Sequence, residues 1–338
     1  MSERIAFIFP GQGSQAVGMG ADVAAASPAA SALFARADRA LGFALSTLCF
    51  EGPEEPLKET INTQPAIVAV SLAFLAALEE YFAAKGARVQ PAYVAGHSVG
   101  EYTALAAGGA LDAEAAIALV RERGRLMHEE GLVCPSGMAA ILGLDDAALQ
   151  EVCAQATEET LAQLGGQASA HPGIGRVVVA NYNSPGQIVI SGEKRALARA
   201  MELASARGAK RVVPLAVSGA FHSPVMQPAS VGLARAVAKA PLHDAIIPII
   251  SNISAAPIST VAALQDELAL QIVSPVQWVK TVEFLAAQGV STFVEIGPGQ
   301  VLSGLVKRIA KGVTTLNIGA AADIERVGDA LSALPAGK

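Results

Sequence analysis

Residues 91–104, Pro-Ala-Tyr-Val-Ala-Gly-His-Ser-Val-Gly-Glu-Tyr-Thr-Ala, restrict the fold more than any other stretch of the chain. A short apolar run, Tyr93 to Ala95, ends in Gly96-His97-Ser98-Val99-Gly100 and passes straight into a helix-prone segment. That spacing predicts a strand, a sharp turn and a helix, the G-x-S-x-G elbow. Gly96 and Gly100 are needed because strand and helix approach too closely there for a Cβ. The turn lifts the Ser98 hydroxyl out of the sheet and sets the Val99 N–H at a helix N-terminus, where it can stabilise an oxyanion. Taken alone, the pattern also fits a glycine-rich loop in which Ser98 caps a helix; residues elsewhere weigh against that.

The chain has 338 residues, 52% of them hydrophobic and only 16% charged, enough apolar material for one large domain or two unequal ones. A formal charge of −6 argues against a nucleic-acid partner. The longest mainly apolar run, Ala66 to Leu78, is shorter than the ~20 residues a bilayer requires, so no membrane partner is expected. No basic segment followed by a long apolar one opens the sequence. Cys49, Cys134 and Cys153 are scattered, odd in number and lack metal-ligand spacing. A cytoplasmic protein with reduced thiols and no metal is expected.

Ile5-Ala-Phe-Ile-Phe reads as a strand buried on both faces, and it ends in Pro10-Gly-Gln-Gly-Ser-Gln. That loop has no complete phosphate-cradle pattern. With the elbow it can meet at one edge of a parallel sheet, which makes Gln12 a candidate site residue. Helices are predicted over Ala21–Leu48, over Thr63–Glu80 with Thr63 as N-cap and Pro65 in the first turn, and over Asp112–Glu130. On the last, a helical wheel sets Arg123 about 60° from Val120, inside the apolar stripe, while Arg121 and Arg125 face water. A buried guanidinium requires an anion: either an internal Asp or Glu, or a substrate carboxylate gripped by two N–H groups.

From about Val133 the order becomes strand, helix, strand, strand, helix, strand: Met138–Leu144, Asp145–Gln155, Val177–Asn181, Gln187–Ser191, Glu193–Gly208 and Lys210–Val217. This is the ferredoxin-like order, read as a small domain over 133–211 inserted in a large one made of 1–132 and 212–338. Gly165–Arg176 reads as a loop within it, with His171 solvated. Further strands follow at Ile246–Ser251 and Thr292–Glu295, then a turn opening a helix at about Val301. An amphipathic helix after Ala320 closes the chain.

Five histidines compete as the base that a serine nucleophile needs. The side chain of His97 leaves the turn in another direction, His128 lies in the last turn of a helix, His171 sits in a loop, and His243 in a polar connector. His222 alone follows a strand in a glycine-flanked turn of the large domain. Asp145 and Asp146 are available between serine and histidine as a third member, but both read as helix caps and no acid stands out, so a Ser98–His222 dyad is expected.

Phe9-Pro-Gly-Gln-Gly-Ser-Gln, Gly96-His-Ser-Val-Gly-Glu-Tyr, Arg123-Gly, Gly219-Ala-Phe-His-Ser-Pro-Val-Met, Ser274-Pro-Val-Gln-Trp and Glu295-Ile-Gly-Pro-Gly, in that order, resemble the malonyl-CoA:acyl carrier protein transacylases from about residue 4 to 317. The resemblance implies an α/β fold. A mainly parallel sheet flanked by helices forms an α/β-hydrolase-like core, and a ferredoxin-like domain is inserted in it. It implies Ser98 as nucleophile, His222 as base, and a backbone carbonyl near Gln271 as the group orienting the imidazole. The N–H groups of Gln12 and Val99 would form the oxyanion hole, Arg123 would hold the malonyl carboxylate, and Phe221 would crowd an α-methyl group. Val99 stands where leucine is commoner, the 165–176 segment looks longer than in compact members, and Gly219 stands where malonyl-selective modules carry histidine. The substrate would be malonyl-CoA, the partner acyl carrier protein, with no permanently bound cofactor and a monomeric state, since no exposed heptad demands a dimer. Fatty-acid synthesis is the expected pathway; a polyketide or malonate-decarboxylase system is the alternative, and a serine esterase of the α/β-hydrolase type the alternative of another class. Lys307, Arg308 and Lys311 are candidates for carrier docking or for a plain solvated helix face.

Overall fold

In the computed structural model, which describes residues 4–165 and 171–334, β1 (Arg4–Phe9) is the strand around which the larger sheet is assembled. Ala6 and Ile8 point into one apolar cluster, Phe7 and Phe9 into another, so both faces of the strand are covered. This is why the run is continuously apolar rather than alternating. The remaining strands are β2 (Tyr93–Gly96), β3 (Ser136–Leu142), β4 (Val177–Ser184), β5 (Gln187–Glu193), β6 (Arg211–Pro214), β7 (Ile249–Ile250), β8 (Pro257–Ile258), β9 (Val290–Ile296) and β10 (Thr314–Ile318). The larger sheet has the order β10-β9-β1-β2-β7-β8. All its pairings are parallel except the edge hairpin of β7 with β8.

On one side of this sheet pack the helices Thr60–Ala84 and Ala113–Val133, and on the other Trp278–Ala287 and Val301–Ile309. Thr60–Ala84 is long and apolar enough to cross a membrane by length and composition, which the shorter run read from the sequence did not suggest. Yet 72% of its most apolar window is buried, because the helix lies in the middle of the core. It begins three residues before the predicted cap, at Thr60; Thr63 lies inside it and donates its hydroxyl to the Leu57 carbonyl. Pro65 has no N–H, which leaves the Ile61 carbonyl without its helical partner. Arg121 supplies the missing donor at 2.6 Å, so it is drawn inward rather than facing water. Arg125 stays outside, paired with Glu122 and Glu129.

The smaller sheet has the order β4-β5-β3-β6 and is antiparallel throughout, with the helices Asp146–Leu164 and Lys194–Ala206 between its strands in sequence. This is the ferredoxin-like arrangement. Period-two alternation divides its faces. Ala139, Ile141, Val179, Ile188 and Ile190 pack on its own two helices, whereas Met138, Ala180 and Val189 face the main core.

Several boundaries differ from the sequence reading. The stretch read as one helix over Ala21–Leu48 is three helices, Ala21–Ala26, Pro28–Leu41 and Leu45–Glu51, interrupted at Ser27-Pro28 and at Gly42 in the left-handed region. The strand expected over Ile246–Ser251 shrinks to two residues because Pro248 has no N–H for the ladder. β8 and β10 lack a matching sequence expectation. The Ala113–Val133 helix continues past Glu130, so His128 is not in its last turn. Of the 165–176 segment, 166–170 lie outside the described residues. His171 is not solvated: its side chain is 10% exposed, and Nε2 lies 2.7 Å from Glu130 Oε1, joining the segment to the Arg123 helix.

Candidate active site

Three parallel strands, β9, β1 and β2, release their chains at the same edge of the sheet. The loop after β1 carries Gln12, and the turn after β2 carries Ser98. Strand and helix cross there so tightly that a Cβ on Gly96 would overlap the backbone of Gly100, and one on Gly100 would overlap the Phe9 carbonyl. Ser98 has φ of 53°, an unusual value for a residue with a side chain, and His222 has 57°. Such backbones cost about 1–3 kcal/mol each and persist only where their surroundings enforce them. At Ser98 the enforcement is visible. Asn252 Oδ1 accepts the Ser98 N–H at 2.7 Å, Asn252 Nδ2 donates to the Gly96 carbonyl at 2.7 Å, and Gln271 Nε2 donates to the Ser98 carbonyl at 3.1 Å.

Ser98 Oγ lies 2.7 Å from His222 Nε2. Nδ1 of the same ring faces two carbonyl oxygens, Gln271 at 2.9 Å and Ser274 at 3.1 Å. Carbonyls only accept, so Nδ1 carries the proton and Nε2 is left as the acceptor for the serine O–H. Burial, followed by the positive charge of Arg123, pushes the imidazole pKa down to about 3, so the ring is neutral near pH 7. Asp145 caps the Asp146–Leu164 helix through the Ala148 N–H, and the imidazole is oriented by backbone instead.

Arg123 is 1% exposed. Nη1 donates to Gln64 Oε1 at 2.7 Å, while Nη2 donates to Gln271 Oε1 at 2.8 Å and to Ser98 Oγ at 3.2 Å. Its guanidinium carbon lies 5.6 Å from the centre of the Tyr102 ring. Among the described residues no carboxylate pairs with it, and its Nε–H has no acceptor. The internal ion pair that the sequence left open is therefore absent from the described residues. The buried guanidinium is thus held by two amides and a hydroxyl, with no counter-charge paired to it among the described residues.

Gln12, Ser98, Val99, Arg123, Phe221 and His222 line one cavity of about 410 Å³. Met138, Asn181, Asn183 and Val189 of the smaller sheet form another part of its wall. Among the described residues, the backbone N–H groups of Gln12 and Val99 donate to no protein acceptor. Phe221 is 6% exposed, with its ring against Gly219. His97 turns away from Ser98, as its position in the turn implied, and hydrogen-bonds Asn183 at 2.8 Å. The arrangement can activate a hydroxyl, offer two donors to a developing oxyanion, and seat a short anionic acyl group.

An acyl transferase domain model matches residues 6–326 of the chain. The malonyl CoA-acyl carrier protein transacylase of Bacillus subtilis strain 168 is 45% identical over 316 residues, 93% of each chain. The chain belongs to the malonyl-CoA:acyl carrier protein transacylase family. It is an acyltransferase. A crystal structure of an acyl-carrier-protein-S-malonyltransferase from Bartonella henselae superimposes with a TM-score of 0.89 at 39% identity, covering 97% of this chain and 99% of that one. A structure described as a type II PKS acyl-carrier protein in complex with its malonyl-transacylase matches with a TM-score of 0.85 at 38% identity, covering 97% and 100%.

Asn252, Gln64, Glu101 and Asn183 escaped the sequence reading of this transacylase-family chain. They are single polar residues whose importance lies in what they touch across 59 to 156 positions of sequence. The signal for Glu101 was present, a carboxylate on the buried face of the elbow helix. The other three give none. Of the basic group after Gly304, Arg308 donates to Gln187 of the smaller sheet and Lys311 to the Lys307 carbonyl.

Proposed function

We propose that this chain transfers malonyl from malonyl-CoA to the phosphopantetheine thiol of acyl carrier protein, through a malonyl ester on Ser98, and supplies fatty-acid biosynthesis. Ser98 Oγ attacks the thioester carbonyl as its proton passes to His222 Nε2. The resulting oxyanion rests on the N–H groups of Gln12 and Val99. The intermediate collapses, the C–S bond breaks, and the CoA sulfur leaves with the proton from His222. In the second half the carrier's thiol gives its proton to His222 and attacks the malonyl ester. The C–O bond to Ser98 then breaks and the serine recovers the proton. The Gln271 and Ser274 carbonyls hold the imidazole in the required tautomer throughout.

The observation that carries the substrate is the placement of Arg123. Its Nη2 touches the nucleophilic oxygen itself, at 3.2 Å, without a carboxylate partner among the described residues. A cation so near the reacting carbonyl suits an acyl chain whose second carboxylate follows after one carbon, which describes malonyl. A charge-assisted pair there is worth about 1.5–3 kcal/mol, or about 10–100-fold in favour of malonyl over acetyl. Phe221 narrows the same space and disfavours an α-methyl branch. The test is intact-mass measurement after mixing with malonyl-CoA. A malonyl adduct on Ser98 that persists in water and is cleared by holo-carrier protein is expected. Rapid hydrolysis with no lasting adduct would instead identify an esterase.

A further inference from the structure

Glu101 takes no part in the transfer just described, yet it is 1% exposed and sits directly behind the elbow. Its Oε1 accepts the backbone N–H of Asn252 at 3.1 Å, and its Oε2 accepts Gln271 Nε2. Both partners then reach the site. Asn252 clamps the N–H of Ser98 and the carbonyl of Gly96. Gln271 clamps the Ser98 carbonyl with Nε2 and offers Oε1 to Arg123. A carboxylate accepts at both oxygens, so one side chain can hold two donors that face it from different elements.

We propose that Glu101 is a positioning residue for acyl-group selection. As a joint that accepts from both Asn252 and Gln271, it fixes which way round the Gln271 amide lies and so aims Arg123 at the carboxylate of the acyl group. The proposal rests on the acyl-transfer reading above. Glu267 packs beside Glu101, and burial together with their mutual repulsion raises the Glu101 carboxyl well above its usual range. A proton shared by the pair still leaves each Glu101 oxygen a lone pair for its N–H donor. The acceptor geometry, rather than the net charge, is therefore what the site uses.

Glu101→Gln tests the acceptor geometry, since it keeps size but turns one acceptor into a donor. The Asn252 N–H is fixed in the backbone, so the new donor falls opposite Gln271 Nε2. Turning the Gln271 amide over only moves the conflict onto Arg123 and the Ser98 carbonyl. The experiment compares Ser98 acylation rates from malonyl-CoA and acetyl-CoA for the full chain and for Glu101→Gln. The malonyl-to-acetyl ratio of kcat/KM should fall about tenfold, the scale of one buried donor left unpaired, beyond any common loss that the altered Ser98 clamps impose on both acyl groups. A parallel loss of both, or an unchanged ratio, overturns the proposal. If thermal unfolding shows that the variant does not fold, Gln271→Met decides. It deletes the amide but keeps the carbonyl that orients His222, and it should lower the same ratio; an unchanged ratio again overturns the proposal. A wild-type chain that takes up no malonyl defeats the acyl-transfer reading itself, and this proposal with it.

Discussion

The two sheets contribute to the cavity in opposite ways. Parallel strands all end on the same side, so the larger sheet delivers the Gln12 loop, the Ser98 turn and the Gly297 turn to one edge. It does so with strained backbones that its neighbours enforce. Antiparallel strands end on alternating sides, so the smaller sheet cannot gather loops in this way. It presents a face instead, and Met138, Val189 and Asn181 from the middles of strands become a wall. The proposed chemistry therefore draws on strand ends in one region and on a surface in the other. Substitutions in the first should abolish the reaction, whereas those in the second should tune it.

Ser98→Ala tests that contrast most severely. Transfer should fall by on the order of 10⁴-fold or more, with no acyl adduct by mass spectrometry. Retained transfer would remove the larger sheet's claim to the chemistry. Arg123→Ala comes next: malonyl transfer should drop about 10–100-fold while acetyl transfer is kept or gained. Equal losses in steady-state kinetics with the two acyl-CoAs would make the arginine purely structural. Asn183→Ala, in the smaller sheet, removes the partner of His97. One neutral hydrogen bond corresponds to about 0.5–1.5 kcal/mol, so kcat/KM should change by about tenfold or less. A loss as large as that of Ser98→Ala would erase the distinction between the two regions.

The smallest expected effect is that of pH on acylation. The folded-state pKa of His222 is depressed below the usual imidazole value, to about 3, so the free enzyme keeps a neutral base as pH falls through 6.5. The kcat/KM for malonyl-CoA should stay flat from pH 8 to about 5, where an ordinary histidine would already be protonated. For stability the sign runs the same way. The unfolded chain binds a proton near pH 6.5 that the folded chain refuses until about 3, so this group's share of stability is present above 6.5 and is lost as pH falls.

Much of this protein follows from local pattern. The elbow was legible because Gly-x-Ser-x-Gly after an apolar strand has one steric solution, and the buried Arg123 because helical periodicity places it on the Val120 face. The small domain's strand and helix order followed from period and turn residues, and six ordered motifs identified the family. Failures came where a residue's environment is assembled from a distance. Arg121 turned inward because Pro65, far from it in sequence, left a carbonyl unpaired. His171 was buried by Glu130 on another element. Pro248 shortened a strand whose pattern looked longer.

Local sequence thus determined which elements form and which faces they bury, since steric limits and periodicity act over a few residues. Only the tertiary structure decided that the Ser274 carbonyl faces the His222 imidazole beside that of Gln271, that Arg123 meets no internal carboxylate among the described residues, and that Asn252 pins the Ser98 backbone. Hydrogen-bond partnership is a matter of about 3 Å in space, and nothing in the linear order encodes that distance.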